Sequence, residues 1–429
     1  MALTQVKTSG LADDAVTLAK QAAGTDGQII TYDASGNPSA VGPGTDGQVL
    51  TSTGAGSPPA FEAIPAGGAA TNLIINGDMQ VAQRGTAAVA ETGYKSVDRW
   101  QLGFGGHDEA LNQQQVDVSV GSSPYNLPVG SGHPYAHGFR KCFQVQNGNQ
   151  TSGADAADYC QIVYRPEGQD INRSGWNYTD PNSKITLSFW VKSSVAQNFY
   201  GFIEAGSPTR IFGWETGTLV AHTWTKITKV IPGYASLVIP DTTASAFSLA
   251  IIPFYGTGYT AASGRDVGTW YEAYNYLPNN TSTWWTTNDA TFQVTGVQLE
   301  TGDTASDFAH KLYADELRRC QRYYVVWADH SQAGGDEPIG CAFFNNGTYK
   351  YYADCRFPVE MRANASVIVA NTSNAFRTYA DGAGENCSTL SSDQLTKRVA
   401  RIGATTALDK KVAGLRAQTN GYLHFNAEL

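Results

Sequence analysis

The segment Gly268-Thr-Trp-Tyr-Glu-Ala-Tyr-Asn-Tyr276, followed by Asn279, Asn280, Trp284 and Trp285, concentrates aromatic rings and amides between turn-forming residues. Such rings stack on the C–H faces of sugars, and amides and carboxylates hydrogen-bond hydroxyls. Trp270, Tyr271, Tyr274, Tyr276, Trp284 and Trp285 are therefore candidate glycan-binding residues. The same tryptophans are equally suited to packing a core or an interface, which is where most large rings end up. A second candidate surface lies further along, where Phe343, Phe344, Tyr349, Tyr351 and Tyr352 alternate in strand-like sequence and so divide between two faces. Tyr349, Tyr351, Lys350 and Arg356 are the candidates there, with Lys350, Arg356 and Arg377 placed to meet an anionic surface polysaccharide or lipopolysaccharide.

Other chemistry has less support. A glycosidase needs two carboxylates about 5–9.5 Å apart across a cleft. Glu300 and Asp303 are close in sequence, but Glu-Thr-Gly-Asp reads as a strand end and turn, with Asp303 bonding local backbone. The Gly-punctuated repeats of a parallel β-helix depolymerase are absent. His133-Pro-Tyr-Ala-His137 is an i, i+4 pair, yet Pro134 disfavours the helix that would align the imidazoles. His107 with Asp108 and Glu109 reads as a solvated loop. Cys142, Cys160, Cys320, Cys341, Cys355 and Cys387 include no Cys-x-x-Cys pair, so buried free thiols are expected, with a Cys142–Cys160 bridge left open. There is no phosphate-binding Gly-rich loop and no Gly-x-Ser-x-Gly elbow. No catalytic residue, metal or cofactor is assigned.

The elements that position these residues read as β-structure. The 429 residues carry 41% apolar but only 16% charged side chains, with 45 Gly and many aromatics. Runs such as Ile185-Thr-Leu-Ser-Phe-Trp-Val191, Thr223–Ile231 and Thr291–Leu299 alternate with period two and are separated by Gly, Asn, Asp and Pro clusters. Such strands, without intervening helical patterns, predict an antiparallel sandwich over residues 71–310. A helix-like boundary at Lys311–Arg322 leads to a further β-patterned domain, 311–429.

Residues 1–70 are different in texture, with many small residues and few rings. Leu11, Ala15 and Leu18 fall at helical spacing, in a helix too short to stand alone. Gly24-Thr-Asp-Gly-Gln-Ile-Ile-Thr31 then recurs as Gly44-Thr-Asp-Gly-Gln-Val-Leu-Thr51. Each copy is a turn followed by a short apolar strand, and Ile29, Ile30, Val49 and Leu50 are poor linker residues. Packing against identical chains would give them the neighbours they lack.

The net charge of −9 has the wrong sign for nucleic-acid binding. The longest apolar stretch, Phe247–Tyr255, contains Pro253 and is far short of the roughly 20 residues of a membrane-spanning helix. The N-terminus lacks a basic region followed by an apolar one, so synthesis in a cytoplasm is expected.

Four segments resemble one family, the tail fibres and other receptor-binding appendages of tailed bacteriophages. They are Asn72-Leu-Ile-Ile-Asn-Gly-Asp-Met-Gln-Val-Ala-Gln-Arg-Gly85 with Asp98-Arg-Trp100; Val294–Ala305 with Leu317-Arg-Arg-Cys-Gln-Arg-Tyr-Tyr324; Phe357-Pro-Val-Glu-Met-Arg362; and Phe425-Asn-Ala-Glu-Leu429. The Gly-Thr-Asp-Gly-Gln repeat is similar to fibre stalks of cyanophages. The resemblance implies a homotrimeric virion protein. Its N-terminal part would attach to a phage tail or nozzle adaptor protein, and its distal part would bind glycan on the host surface.

The expected fold is all-β, with a short N-terminal helix and β-repeat stem (1–70), a jelly-roll-like, lectin-like antiparallel β-sandwich (71–310) and a C-terminal distal β-sandwich domain (311–429). The expected role is adhesive, in a tail fibre made in the host cytoplasm and residing in the virion. A head or neck fibre of the same build is the alternative, and a tailspike glycosidase the outsider.

Overall fold

The period-two runs fold as strands in a computed structural model that describes residues 24–46, 48–54, 56–63, 72–118, 132–206, 209–245, 247–272, 276–330, 336–345, 350–369, 375–387, 389–408, 412–418 and 420–429. Two compact units result, Met1–Gly68 and Ala69–Leu429. In the first, β1 (Ile29–Tyr32) pairs antiparallel with β2 (Pro38–Val41), and β3 (Gln48–Thr51) with β4 (Ala60–Ala63). The repeated Gln locks each turn: its Oε1 accepts from the backbone N–H of Thr25 at 2.8 Å in one copy and of Thr45 at 2.7 Å in the other. Gly27, at φ +78°, supplies the left-handed corner. Ile29, Ile30, Val49 and Leu50 stay exposed, because a two-stranded hairpin has nothing to cover its apolar side. Leu11, Ala15, Leu18 and the expected N-terminal helix lie outside the described residues.

The second unit begins with a two-sheet antiparallel sandwich of the jelly-roll kind. Its strands are β5 (Trp100–Gly105), β6 (Asn112–Asp117), β7 (Lys141–Gln146), β8 (Tyr159–Tyr164), β9 (Lys184–Ser193), β10 (Asn198–Ala205), β11 (Arg210–Thr218), β12 (Thr225–Pro232), β13 (Phe247–Tyr255), β14 (Thr260–Ala261), β15 (Trp270–Tyr271), β16 (Leu277–Pro278) and β17 (Thr291–Thr301). One sheet runs β15-β11-β10-β13-β8-β5 and the other β12-β9-β17-β7-β6, while β14 and β16 form a small parallel pair outside them. Alternation sets the faces. In β5, Trp100, Leu102 and Phe104 are buried between the sheets while Gln101, Gly103 and Gly105 point away. Phe143, Phe189, Ile203, Leu249, Phe292 and Leu299 fill the same interior, each worth about 1.5–3 kcal/mol on burial. Two short helices, α1 (Gly168–Asn172) and α2 (Thr283–Thr286), pin the ends.

The stretch 72–79 closes the sandwich rather than forming a strand. Asn72 Nδ2 donates to Val297 O at 3.0 Å, and its Oδ1 accepts from the N–H groups of Ile74 and Leu299, both at 3.0 Å. Asn76, left-handed at φ 58°, accepts from Val81 N–H at 2.9 Å and donates to Asp98 O at 2.9 Å. A Cβ on Gly77 would sit 2.0 Å from Val297 O, so only glycine allows this approach.

Helix α3 (Tyr313–Gln321) leads from the sandwich into ten further strands: β18 (Tyr324–Asp329), β19 (Glu337–Asn345), β20 (Lys350–Arg356), β21 (Ser366–Val369), β22 (Phe376–Ala380), β23 (Ala383–Asn386), β24 (Thr389–Leu395), β25 (Val399–Thr405), β26 (Val412–Ala417) and β27 (Tyr422–Asn426). They form a seven-stranded sheet, β23-β22-β26-β19-β20-β25-β24, and a three-stranded sheet, β18-β27-β21. Around their shared core lie Tyr351, Ile402, Leu415, Leu423 and Phe425.

The family-like segments converge where this β-structure meets the sandwich. The Glu428 carboxylate bonds Arg99, which is fully buried, and Arg84 at 3.3 Å; Arg84 also reaches Asp98 at 3.4 Å. The two guanidiniums lie 3.5 Å from the ring centres of Tyr324 and Tyr323. Nearby, Arg322 binds the buried Glu167 carboxylate at 2.6 and 2.8 Å, and Tyr323 Oη donates to it at 2.7 Å. Burial works against the Glu167 charge, but these donors outweigh it and hold the carboxyl below the usual range.

Asp98 behaves oppositely: burial, only partly offset by Arg84 and Gln83, pushes its carboxyl from 3.8 up to about 6. A raised folded-state value means the stabilisation is fully present below the unfolded value and is lost as pH rises through the folded one. The Asp98 contribution, on the order of 3 kcal/mol, should therefore fade between about pH 4 and pH 6. Other buried carboxyls titrate in the same window, Glu167 with the opposite sign, so the readout is the difference in unfolding midpoint between the wild-type chain and Asp98→Asn, which should fall as pH rises from about 4 to about 6.

Candidate functional site

On the outward side of the six-stranded sheet, rings, amides and small residues surround a buried apolar cluster that includes Val163, Phe202, Ala250, Ile252 and Tyr255. Gly103 sits opposite Gln161, and Gly105 opposite Tyr159. Tyr159 is in turn opposite Tyr255, Tyr200 opposite Ile252, and Glu204 opposite Ser248. The two glycines matter. A Cβ at Gly105 would lie 2.6 Å from Tyr159 Cε1, and one at Gly103 3.0 Å from Gln161 Nε2, so their absence lets the ring and the amide lie across the β5 edge.

A bulge in β13 between Ile251 and Phe254, occupied by Pro253, then changes the register. Phe254 turns into the core, stacking on Trp285 at 5.1 Å, and Tyr255 turns outward. Its Oη donates to Gln161 Oε1 at 2.5 Å. The loop after β13 adds Tyr259, 5.3 Å from the Tyr159 ring and 5.2 Å from that of Tyr255. Tyr276 stacks on Phe202 at 5.0 Å.

Tyr159, Tyr200, Tyr259, Tyr276, Gln101, Gln161, Arg165 and Glu204 are each partly exposed, so the face is accessible yet held in place by its neighbours. Burial pushes the Tyr159, Tyr200 and Tyr276 hydroxyls upward, and each remains a neutral donor and acceptor at physiological pH. Burial also raises Glu204, against the opposing influence of Arg165. Rings offering C–H stacking, interleaved with neutral hydroxyls and amides, are suited to a polyhydroxylated ligand.

Of the residues singled out in the sequence, Tyr276 lies on this face. Tyr271 borders it, donating to Tyr276 O, whereas Trp270 packs on the inner core, stacked on Tyr234, with its Nε1 donating to Pro232 O at 2.8 Å. Trp284 and Trp285 are fully buried beneath it, their Nε1 groups bonded to Thr291 O at 3.2 Å and Gly153 O at 3.1 Å. They support the sandwich and present no face to a ligand. Tyr274 and Tyr349 lie outside the described residues. Lys350 begins β20, Arg356 ends it exposed, and Tyr351 faces inward, fully buried, with its Oη 3.3 Å from Leu408 O.

Tyr159, Tyr200, Tyr255, Tyr259 and Gln161 escaped sequence reading. The signal was in Tyr159-Cys-Gln-Ile-Val-Tyr164, where Tyr159 and Gln161 alternate with the buried Cys160 and Ile162.

The remaining candidates resolve locally. Glu300 is buried, accepting from Ser306 N at 2.9 Å and Ser306 Oγ at 2.6 Å, whereas Asp303 is exposed 3.6 Å from Lys184. Pro134 opens a single 3-10 turn through His137, in which His133 Nδ1 accepts from Tyr135 N–H at 3.2 Å. All six cysteines are unbridged thiols, five of them buried and Cys341 exposed. Among the described residues no helix is long and apolar enough to cross a membrane.

No family model matches the chain, and neither does any curated protein. Solved structures similar in part include the enzymatically active domain of tailspike protein 4 from bacteriophage CBA120, at 9% identity and TM-score 0.29 over 54% of this chain and 21% of that one. A putative sugar binding protein from Bacteroides thetaiotaomicron gives 12% and 0.28 over 53% and 99%. A family 11 carbohydrate-binding module from Clostridium thermocellum gives 14% and 0.24 over 52% and 98%. Likenesses this remote do not bear on what the chain does.

Proposed function

We propose that this chain is an adhesive virion protein, a phage tail fibre of cyanophage-like type, which acts by binding host-surface glycan rather than by cutting it. In this reading residues 1–70 form the stem that attaches to the tail or its adaptor. The sandwich at 71–310 binds sugar, and 311–429 is the distal domain. The observation that carries the binding role is the outward side of the six-stranded sheet, where partly exposed tyrosines, glutamines and a carboxylate on β5, β8 and β10 are joined by Tyr259 and Tyr276 from beyond β13. Trimerisation is supported by the exposed Ile29, Ile30, Val49 and Leu50, apolar strand residues left uncovered among the described residues. Three weak sites on one trimer raise avidity without any tight single contact.

The reading is tested by passing purified full-length chain over immobilised host-surface polysaccharide while measuring its mass in solution. Retention that free polysaccharide competes away, at a mass near three times 45.9 kDa, is the expected result. A monomer that flows through unretained would sink it.

A further inference from the structure

Apart from the sandwich, the outward side of the seven-stranded sheet holds a groove of ≈ 740 Å³ whose lining includes Phe343, Tyr352, Asp354, Asp393 and Arg401. Its construction follows from register. Phe343 is opposite Tyr352, Tyr352 opposite Gly403, and Asp354 opposite Arg401, while the intervening Tyr351, Ala353 and Cys355 are buried on the other side.

Phe343 leaves 62% of its surface in solvent and so presents a ring face to the groove. Gly403 gives Tyr352 room, since a Cβ there would come within 3.3 Å of the ring. Arg401 is already engaged by Asp354, with Nε to Oδ1 at 2.7 Å and Nη2 to Oδ2 at 3.2 Å. Asp393 is exposed beside that guanidinium and has no hydrogen-bond or ion-pair partner among the described residues. The lining thus combines the outward rings of Phe343 and Tyr352 with one excess carboxylate.

We propose that this groove is a second sugar site, taking an uncharged hexose or N-acetylhexosamine residue. The ring C–H face would stack on Phe343 and Tyr352, and adjacent hydroxyls would donate to Asp393. Hydrogen bonds to a charged acceptor are the stronger kind, and a carboxylate with two free oxygens accepts a pair of neighbouring hydroxyls. The excess negative charge discriminates against uronate, sulfate or phosphate groups. The groove shares no residue with the tyrosine face, so either site can fail without the other.

The test uses the full-length chain carrying Tyr159→Ala and Tyr259→Ala, which silences the sandwich face. Saturation-transfer NMR is run with methyl glycosides of glucose, galactose, mannose and N-acetylglucosamine, with galacturonate, and with oligolysine. At least one neutral glycoside should bind. Phe343→Ala and Asp393→Asn should each weaken it about tenfold or more, and Asp393→Asn should ease the exclusion of galacturonate. Both side chains are exposed, so an unchanged unfolding midpoint verifies the fold of each variant. No neutral glycoside binding in this background, binding by either variant as strong as that of the chain with Phe343 and Asp393 intact, or binding of oligolysine alone would each overturn the proposal.

Discussion

Replacing Glu428 with alanine is expected to cost about 3–5 kcal/mol of stability in the second unit, the largest single-residue effect foreseen for this chain. The reason is what stays behind. Among the described residues, fully buried Arg99 otherwise meets neutral groups, while Arg84 keeps only Asp98 as a charged partner. A buried guanidinium without its carboxylate bears its desolvation cost uncompensated. Denaturant unfolding followed by tryptophan fluorescence provides the readout. Glu91→Ala serves as control, because the Glu91–Lys95 pair is 61% and 43% exposed and its loss should change stability by less than about 0.5 kcal/mol. Equal effects of the two variants would show that the junction is not held by the buried pair.

The second large effect concerns binding. Tyr159→Ala together with Tyr259→Ala should reduce affinity for host polysaccharide by roughly a hundredfold, about 2.7 kcal/mol. These two rings meet edge to face at 5.3 Å and flank the Tyr255–Gln161 hydrogen bond, so their removal opens the centre of the face. Both are partly exposed, and the core beneath should keep its unfolding midpoint. Tyr159→Phe separates the contributions: it preserves stacking and removes one hydroxyl, for a loss of only a few-fold. Trp284→Phe, made in the buried layer below, should lower stability and leave affinity nearly unchanged.

What the sequence revealed and what it hid divide along a physical line. Period-two alternation is local, and it made strands such as Ile185–Val191 and Thr291–Leu299 legible before any partner was known. A ring's destination is not local. Trp284 and Trp285 read as loop decoration because they follow Asn279 and Asn280, yet a single helical turn delivers both into the core. Tyr255 could not be placed by counting, since the Pro253 bulge reverses which of Phe254 and Tyr255 faces out.

The segments that resemble phage fibres turned out to share one place. Arg84, Asp98, Arg99, Arg322, Tyr323 and Glu428 build the junction, and Arg99 meets Glu428 across 329 positions of chain. No periodicity announces a pair so far apart. These motifs are structural, and the outward face of β8 and β13, which carries the proposed binding chemistry, contains none of them. A resemblance based on them speaks to how the sandwich and the C-terminal strands are joined, and the ligand has to be read from the exposed rings.

The claim on which the account rests is that the tyrosine face is where glycan binds. Fluorine NMR of the full-length chain labelled with 3-fluorotyrosine tests it directly, using oligosaccharides released from host-surface polysaccharide. Tyr→Phe substitutions assign the signals. On titration the Tyr159, Tyr200, Tyr259 and Tyr276 resonances should shift together and saturate, while those of the buried Tyr164 and Tyr323 stay fixed. Saturable binding of the oligosaccharide with those four resonances unmoved would contradict the account.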